Sequence, residues 1–343
     1  MDHSCCQERT LLFRLKDPDR QLSGVRLAAH LDLAQDRRDF DYADGEWRLQ
    51  LDRPALWRLE YLLELHHRDG RTELVGDPEN PRRVGGAFGD KSVVECPDYR
   101  EPGWLDRPAA PGRWQDLVIP APALKGLVNA RIWSPEAPTD RILVAHDGPE
   151  YDRLASLGHY SAAAEVPPHH LVLLAPGERN EWYSANPGYA WALVGEVLPR
   201  VREVVGNDGP TVGMGASLGG LAMLHAQRRY PGAFAGLFLQ SGSFFLPRFD
   251  RHESGFQRYL RIVRFVGRVT RDADRAVPVS TVLTCGLVEE NRHNNREMAR
   301  TLARQGYPVT LAEVPDAHNY TAWRDAFDPH LTRLLRTVWG EHA

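Results

Sequence analysis

The first hundred residues alternate apolar and polar side chains with a period of two. "LLFRLKD", "GVRLAAHLD", "WRLQLD" and "LEYLLELHHRDG" all follow that pattern, which is the signature of half-buried strands. Asp44-Gly45 and Asp69-Gly70 supply turn chemistry between them. Helical periodicity is nearly absent there. The pattern predicts an all-β sandwich over residues 1–112, ending in the proline-rich connection "CPDYREPGWLDRPAAPGRWQ".

From residue 113 to 343 the texture changes. "DRILVAHDG", "HHLVLLAPG", "TVGMG", "FAGLFLQSG", "VSTVLTCG" and "PVTLAEVP" read as buried strands. Between them, "GYAWALVGEVLPRVREVV", "LGGLAMLHAQRRYP" and "NREMARTLARQG" space their apolar residues as helices do. Such a β-α-β rhythm predicts an α/β domain, a mostly parallel sheet covered by helices.

Composition narrows the function classes. The 343 residues are 42% hydrophobic with nine tryptophans, as in a globular chain. A net charge of -4, with both signs scattered, gives a nucleic-acid partner no electrostatic support. No apolar run reaches the roughly 20 residues that span a bilayer, so no membrane is implied. The stretch "MDHSCCQERTLLFRLKD" lacks the basic and apolar regions of a secretory signal, and a cytoplasmic location is expected. Cys5, Cys6, Cys96 and Cys285 fit neither a disulfide framework nor a zinc site. Neither a metal nor another cofactor is expected, and oligomeric state leaves no trace in the sequence.

The stretch "GMGASLGGLAM" carries the chemistry. A dinucleotide site needs GxGxxG, but Leu218 stands at the third glycine position and no carboxylate ends the next strand. A nucleophile elbow needs Gly-x-Ser-x-Gly between a strand and a helix. Gly215-Ala216-Ser217-Leu218-Gly219 supplies it, with small neighbours to relieve a sharp turn. Ser217 is thus the candidate nucleophile.

A serine needs a base and an acid, which on such a fold follow in the order acid, then histidine. "EVPDAHNYTAW" places His318 in a loop after the last strand. "TCGLVEENRHNN" places Glu289 or Glu290 in the preceding loop, and Glu289 is nearer the strand end. Asp316 is a rival, yet too close to His318 along the chain to face its ring easily. His66, His67, His169 and His170 read as surface residues, His225 as packed and His293 as a solvated loop residue.

Together these motifs resemble the esterase D / enterochelin-esterase family of α/β-hydrolases. The resemblance covers most of residues 113–343 and rests on "LVAHDGPEYDR", "ERNEWYSANPGYAWALVGEVLPRV", "GMGASLGGLAML", "GLVEENRHNNREMARTLARQGYPV" and "PDAHNYTAWRDAF". The N-terminal β region is similar to the immunoglobulin-like early-set domain of enterochelin esterases. The resemblance implies Ser217, His318 and Glu289 as a triad that cleaves a siderophore ester backbone for iron release in the cytoplasm. It implies a small-molecule ester partner, a ferric siderophore. Arg153, Arg179 and Arg292 become candidate donors to catecholate or carboxylate groups. It also implies an oxyanion hole from the Leu218 N–H and a second N–H in the loop after Asp147-Gly148. Pro149 has no N–H to give, so the second donor is Gly148, Glu150 or another nearby residue, with Gly148 named first.

Other readings of the same residues are a general short-chain carboxylesterase or thioesterase, an acyltransferase of the same fold, and a non-catalytic glycan-binding protein. The combined Ser, Glu and His set speaks against the last.

Overall fold

A computed structural model describes residues 4–31, 35–271 and 277–340. The chain forms two compact units. One holds the residues up to Glu101 together with Gly286–Glu290 and Val314–Ala322. The other holds Pro102–Cys285, Asn291–Glu313 and the residues from Trp323 onward.

The strands of the first unit are β1 (Cys5–Cys6), β2 (Thr10–Lys16), β3 (Leu22–Ala28), β4 (Asp41–Ala43) and β5 (Glu46–Asp52). They continue as β6 (Arg58–His67), β7 (Thr72–Val75), β8 (Arg83–Val84) and β9 (Lys91–Glu95). One sheet runs in the order β1-β2-β5-β4 and another β3-β6-β9-β8, with β7 beside β6. Alternation decides which side chains point inward: along β5, Trp47, Leu49 and Leu51 are buried while Arg48, Gln50 and Asp52 are exposed. Each apolar side chain so buried contributes roughly 1.5–3 kcal/mol. Phe13 and Tyr61 meet edge to face at 5.0 Å in that core. Val288 and Ala317, from the two later segments, belong to the same apolar cluster.

One expectation fails here. Cys6 and Cys96 are joined by a disulfide across 90 residues. Short spacings between cysteines cannot report a partner brought close only by the fold.

The second unit is built on an eight-stranded sheet. Its strands are β10 (Gly112–Ala121), β11 (Gly126–Pro135), β12 (Ile142–Ala145) and β13 (His170–Leu174). β14 (Thr211–Ala216), β15 (Gly236–Gln240), β16 (Ser280–Gly286) and β17 (Val309–Val314) complete it, in the order β10-β11-β13-β12-β14-β15-β16-β17. The central pairs from β13 through β16 are parallel, whereas β10 and β11 form an antiparallel hairpin. Every residue of β12, β13, β14 and β15 is buried, as helices on both faces require. His169 and His170, expected at the surface, are buried. His169 donates from Nδ1 to the Pro167 carbonyl at 2.8 Å, and burial pushes its pKa down to about 4. Among the described residues, no helix is long and apolar enough to cross a membrane.

Candidate active site

Strand β14 ends at Ala216, and the helix Leu218–Arg229 begins two residues later. Ser217 makes the turn with φ 55° and ψ -123°, a conformation that costs a side-chain-bearing residue about 1–3 kcal/mol. The glycines make it achievable. A Cβ at Gly215 would lie 2.5 Å from the Gly219 carbonyl carbon, and one at Gly220 3.0 Å from the Gly215 oxygen. The Ser217 N–H donates to the Gln240 carbonyl at 2.9 Å, tying the turn to the end of β15. Leu218 is the first residue of the helix, where backbone N–H groups favour negative charge.

The loop after β12 lies in the same unit. Asp147 adopts φ 51° and ψ 38°, and Gly148 opens the helix Gly148–Ala155 with Pro149 as its second residue. A Cβ at Gly148 would stand 2.5 Å from the Leu173 backbone, so only glycine fits. Side chains hold this loop, and the Asp147 N–H donates to Tyr183 Oη at 3.4 Å. Arg179 grips the buried Asp147 carboxylate bidentately, Nε to Oδ1 at 2.7 Å and Nη2 to Oδ2 at 2.8 Å. His146 donates from Nδ1 to the Gly219 carbonyl at 2.9 Å, with its ring 4.5 Å from that of Tyr183. Burial pushes the His146 pKa down to about 4 and keeps it neutral.

Within the first unit, His318 Nδ1 meets Glu289 Oε2 at 3.0 Å. Glu289 is buried, and its other oxygen accepts the Gly286 N–H at 2.8 Å. A carboxylate accepts, so Nδ1 carries a proton, and the neutral ring then has its lone pair on Nε2. Glu290 is exposed. Asp316 turns away into another network, accepting from the Ala317 N–H at 2.7 Å and from Asn319 Nδ2 at 3.0 Å. Burial pushes its pKa up to about 7, opposed chiefly by the charge of Arg58.

The structure therefore brings Glu289 and His318 together in one unit. Ser217, Leu218 and Gly148 lie in the other, as do Arg153, Arg179 and Arg292. Arg153 is exposed on its helix, and Arg292 is half-buried at the start of the helix Arg292–Arg304. The Arg179 guanidinium is committed to the Asp147 carboxylate of the loop. Sequence reasoning missed His146, the pairing of Asp147 with Arg179, and Ser243, whose Oγ lies 3.2 Å from that of Ser217. The signals were faint: a single histidine before Asp-Gly, and a serine closing "QSGS" after a strand.

The Esterase family model, described as "Putative esterase", matches residues 131–334. The chain belongs to the Esterase family. The iron(III) enterobactin esterase of Escherichia coli O6:H1 is 28% identical, over 87% of this chain and 81% of that protein. The enterobactin esterase of Shigella flexneri, solved with 2,3-dihydroxy-N-benzoyl-glycine, superposes with a TM-score of 0.73 at 20% identity. That match covers 97% of this chain and 94% of the other. The ferric enterobactin esterase of Salmonella typhimurium gives 0.73 at 22% identity, covering 97% and 94%. This Esterase-family chain is accordingly an ester hydrolase, with an α/β-hydrolase-type fold and a β-rich N-terminal region.

Proposed function

We propose that the protein is a serine esterase acting through Ser217, His318 and Glu289 on the ester backbone of a siderophore, a catecholate trilactone of the enterobactin type. The observation that carries the reading is the His318–Glu289 hydrogen bond at 3.0 Å, with the Glu289 oxygen on the Nδ1 side. It leaves Nε2 as the basic nitrogen a serine nucleophile needs. The names of the relatives support the substrate class.

In this scheme His318 Nε2 takes the Ser217 proton as Oγ attacks the ester carbonyl. The carbonyl electron pair moves to oxygen, which the N–H groups of Leu218 and Gly148 receive. The leaving alcohol takes the proton from His318, and water then releases the acid by the same route. Arg153 and Arg292 are assigned to the anionic catecholate or carboxylate groups of the substrate. Arg179 serves by holding Asp147 and hence the oxyanion loop.

The test offers a triscatecholate trilactone, with and without iron, and a series of aryl esters to the wild type, Ser217→Ala and Glu289→Gln. Trilactone cleavage far above the aryl esters in kcat/KM, abolished in Ser217→Ala, is expected. Glu289→Gln should lower kcat by about 10³- to 10⁴-fold, because an amide cannot hold the imidazolium. Aryl-ester cleavage alone would reduce the protein to a general carboxylesterase. Full activity in Ser217→Ala would sink the scheme.

A further inference from the structure

Ser243 stands beside the nucleophile in a loop whose construction goes beyond what a chain turn needs. It is buried, its Oγ lies 3.2 Å from Ser217 Oγ, and its N–H donates to the Ser217 carbonyl at 3.1 Å. Three side chains fix the loop that carries it. Asn295, fully buried, accepts the Gly242 N–H on Oδ1 at 3.0 Å and donates from Nδ2 to the Gly242 carbonyl at 2.9 Å. Asn291 donates to the Ser241 carbonyl at 3.2 Å, and Trp323 Nε1 donates to Ser241 Oγ at 3.0 Å. Ser241 takes φ 45°, and a Cβ at Gly242 would meet the Phe244 ring at 2.3 Å. The loop is thus held in one conformation from both sides.

We propose that Ser243 is a further catalytic residue whose hydroxyl donates a hydrogen bond to Ser217 Oγ. The inference rests on the reading of Ser217 as nucleophile and His318 as base. Once the Ser217 proton is directed to His318, only one polarity remains for the hydrogen bond between the two hydroxyls. Ser243 O–H gives and Ser217 Oγ receives.

That polarity matters most when Ser217 leaves. In acylation the Oγ–C bond forms while the Oγ proton passes to His318, and Ser243 already bonds the free hydroxyl from which this step starts, so the donor gains little in the transition state. In deacylation water adds to the acyl carbon and gives a proton to His318. The C–Oγ bond then breaks, its electron pair returns to Oγ, and the proton on His318 follows. The ester Oγ from which this step starts is a weak acceptor, so the bond from a fixed donor strengthens as Oγ gains charge in the transition state, without reorganisation. The same hydrogen bond is no help to Oγ as an attacking lone pair. Ser243 therefore speeds release of the acyl group more than its capture.

Ser243→Ala removes the donor and leaves the backbone hydrogen bonds in place. An aryl ester in stopped flow separates the acylation burst from steady-state deacylation, with thermal melting as a check on the fold. The expected result is deacylation slower by about 10- to 100-fold with acylation within a few-fold of wild type. KM should fall along with kcat, because acyl-enzyme accumulates, and the burst should approach one acyl group per enzyme. Ser243→Cys, nearly the same size but a poor donor, should behave alike and serves if the alanine variant does not fold. Both rates unchanged would overturn the proposal, as would equal losses in both steps with a lowered melting temperature. Ser217→Ala runs alongside. If it is inactive while Ser243→Ala matches wild type, this proposal alone falls. Retained turnover in Ser217→Ala would overturn the nucleophile assignment with it.

Discussion

The Nδ1–H of His146 donates to the carbonyl of Gly219 at 2.9 Å, joining the loop that precedes Gly148 to the first turn of the helix that starts at Leu218. The two N–H groups assigned to the oxyanion come from the two segments this hydrogen bond ties. A carbonyl only accepts, so the imidazole must be the Nδ1–H tautomer. Desolvation keeps it neutral, with its pKa down to about 4. A charged ring could not replace it in this buried place between Tyr183 and Tyr189.

Replacing His146 by phenylalanine keeps the aromatic packing and removes the tie. The Gly219 carbonyl then loses a buried partner, and stability should fall by about 1–3 kcal/mol. Because the loop relaxes relative to the helix, kcat should drop about 10- to 100-fold, less than the loss of a whole oxyanion donor. KM for an aryl ester should hardly move. A variant with wild-type kcat would show that the loop keeps its place without the His146 tie.

The Cys6–Cys96 disulfide closes a separation of 90 residues, which in the chain-entropy account is worth about 4–5 kcal/mol, against a typical 2–4 kcal/mol. It joins β1 to the end of β9, one strand from each of the two N-terminal sheets. The double variant Cys6→Ala/Cys96→Ala should unfold at lower denaturant, and its midpoint should ignore added reductant. The wild-type midpoint should fall toward it when reductant is added. Identical midpoints for wild type and variant, with no response to reductant, would mean the thiols are not bonded in the protein.

Much of this architecture is legible in the chain because it rests on local rules. Period-two alternation in β5, continuous apolar runs in β12 and β13, and glycines flanking Ser217 each report a neighbour's geometry. Glu289 and His318 could be sought in loops because loops follow strands. The missing parts depend on partners far along the chain. Cys6 finds Cys96, His146 finds Gly219, and Ser243 finds Ser217 only after folding. The proline-rich connection read from the sequence runs on to Gln115 and so takes in the start of β10. The first half of β10 is exposed, and Pro120 and Pro122 read as breakers. His169 and His170 escape for a related reason: two adjacent histidines look polar, yet His169 finds the Pro167 carbonyl and His170 the half-buried Ser134 hydroxyl.

Asp316 gives the loop of His318 a pH dependence with a definite sign. Burial raises its folded pKa to about 7 from an ordinary 3.8, although the Arg58 charge and two hydrogen bonds work the other way. Between about pH 4 and pH 7 the folded protein then holds a proton that the unfolded chain has released. Stability from this group is present below about pH 4 and is lost as pH rises toward 7. The whole effect is on the order of a few kcal/mol. Asp316→Asn keeps an oxygen to accept from the Ala317 N–H and removes the titration. Its melting temperature relative to wild type should therefore climb steadily from pH 4 to pH 8. Two melting curves that stay parallel across that range would show instead that Asp316 is ionised throughout, paired with Arg58.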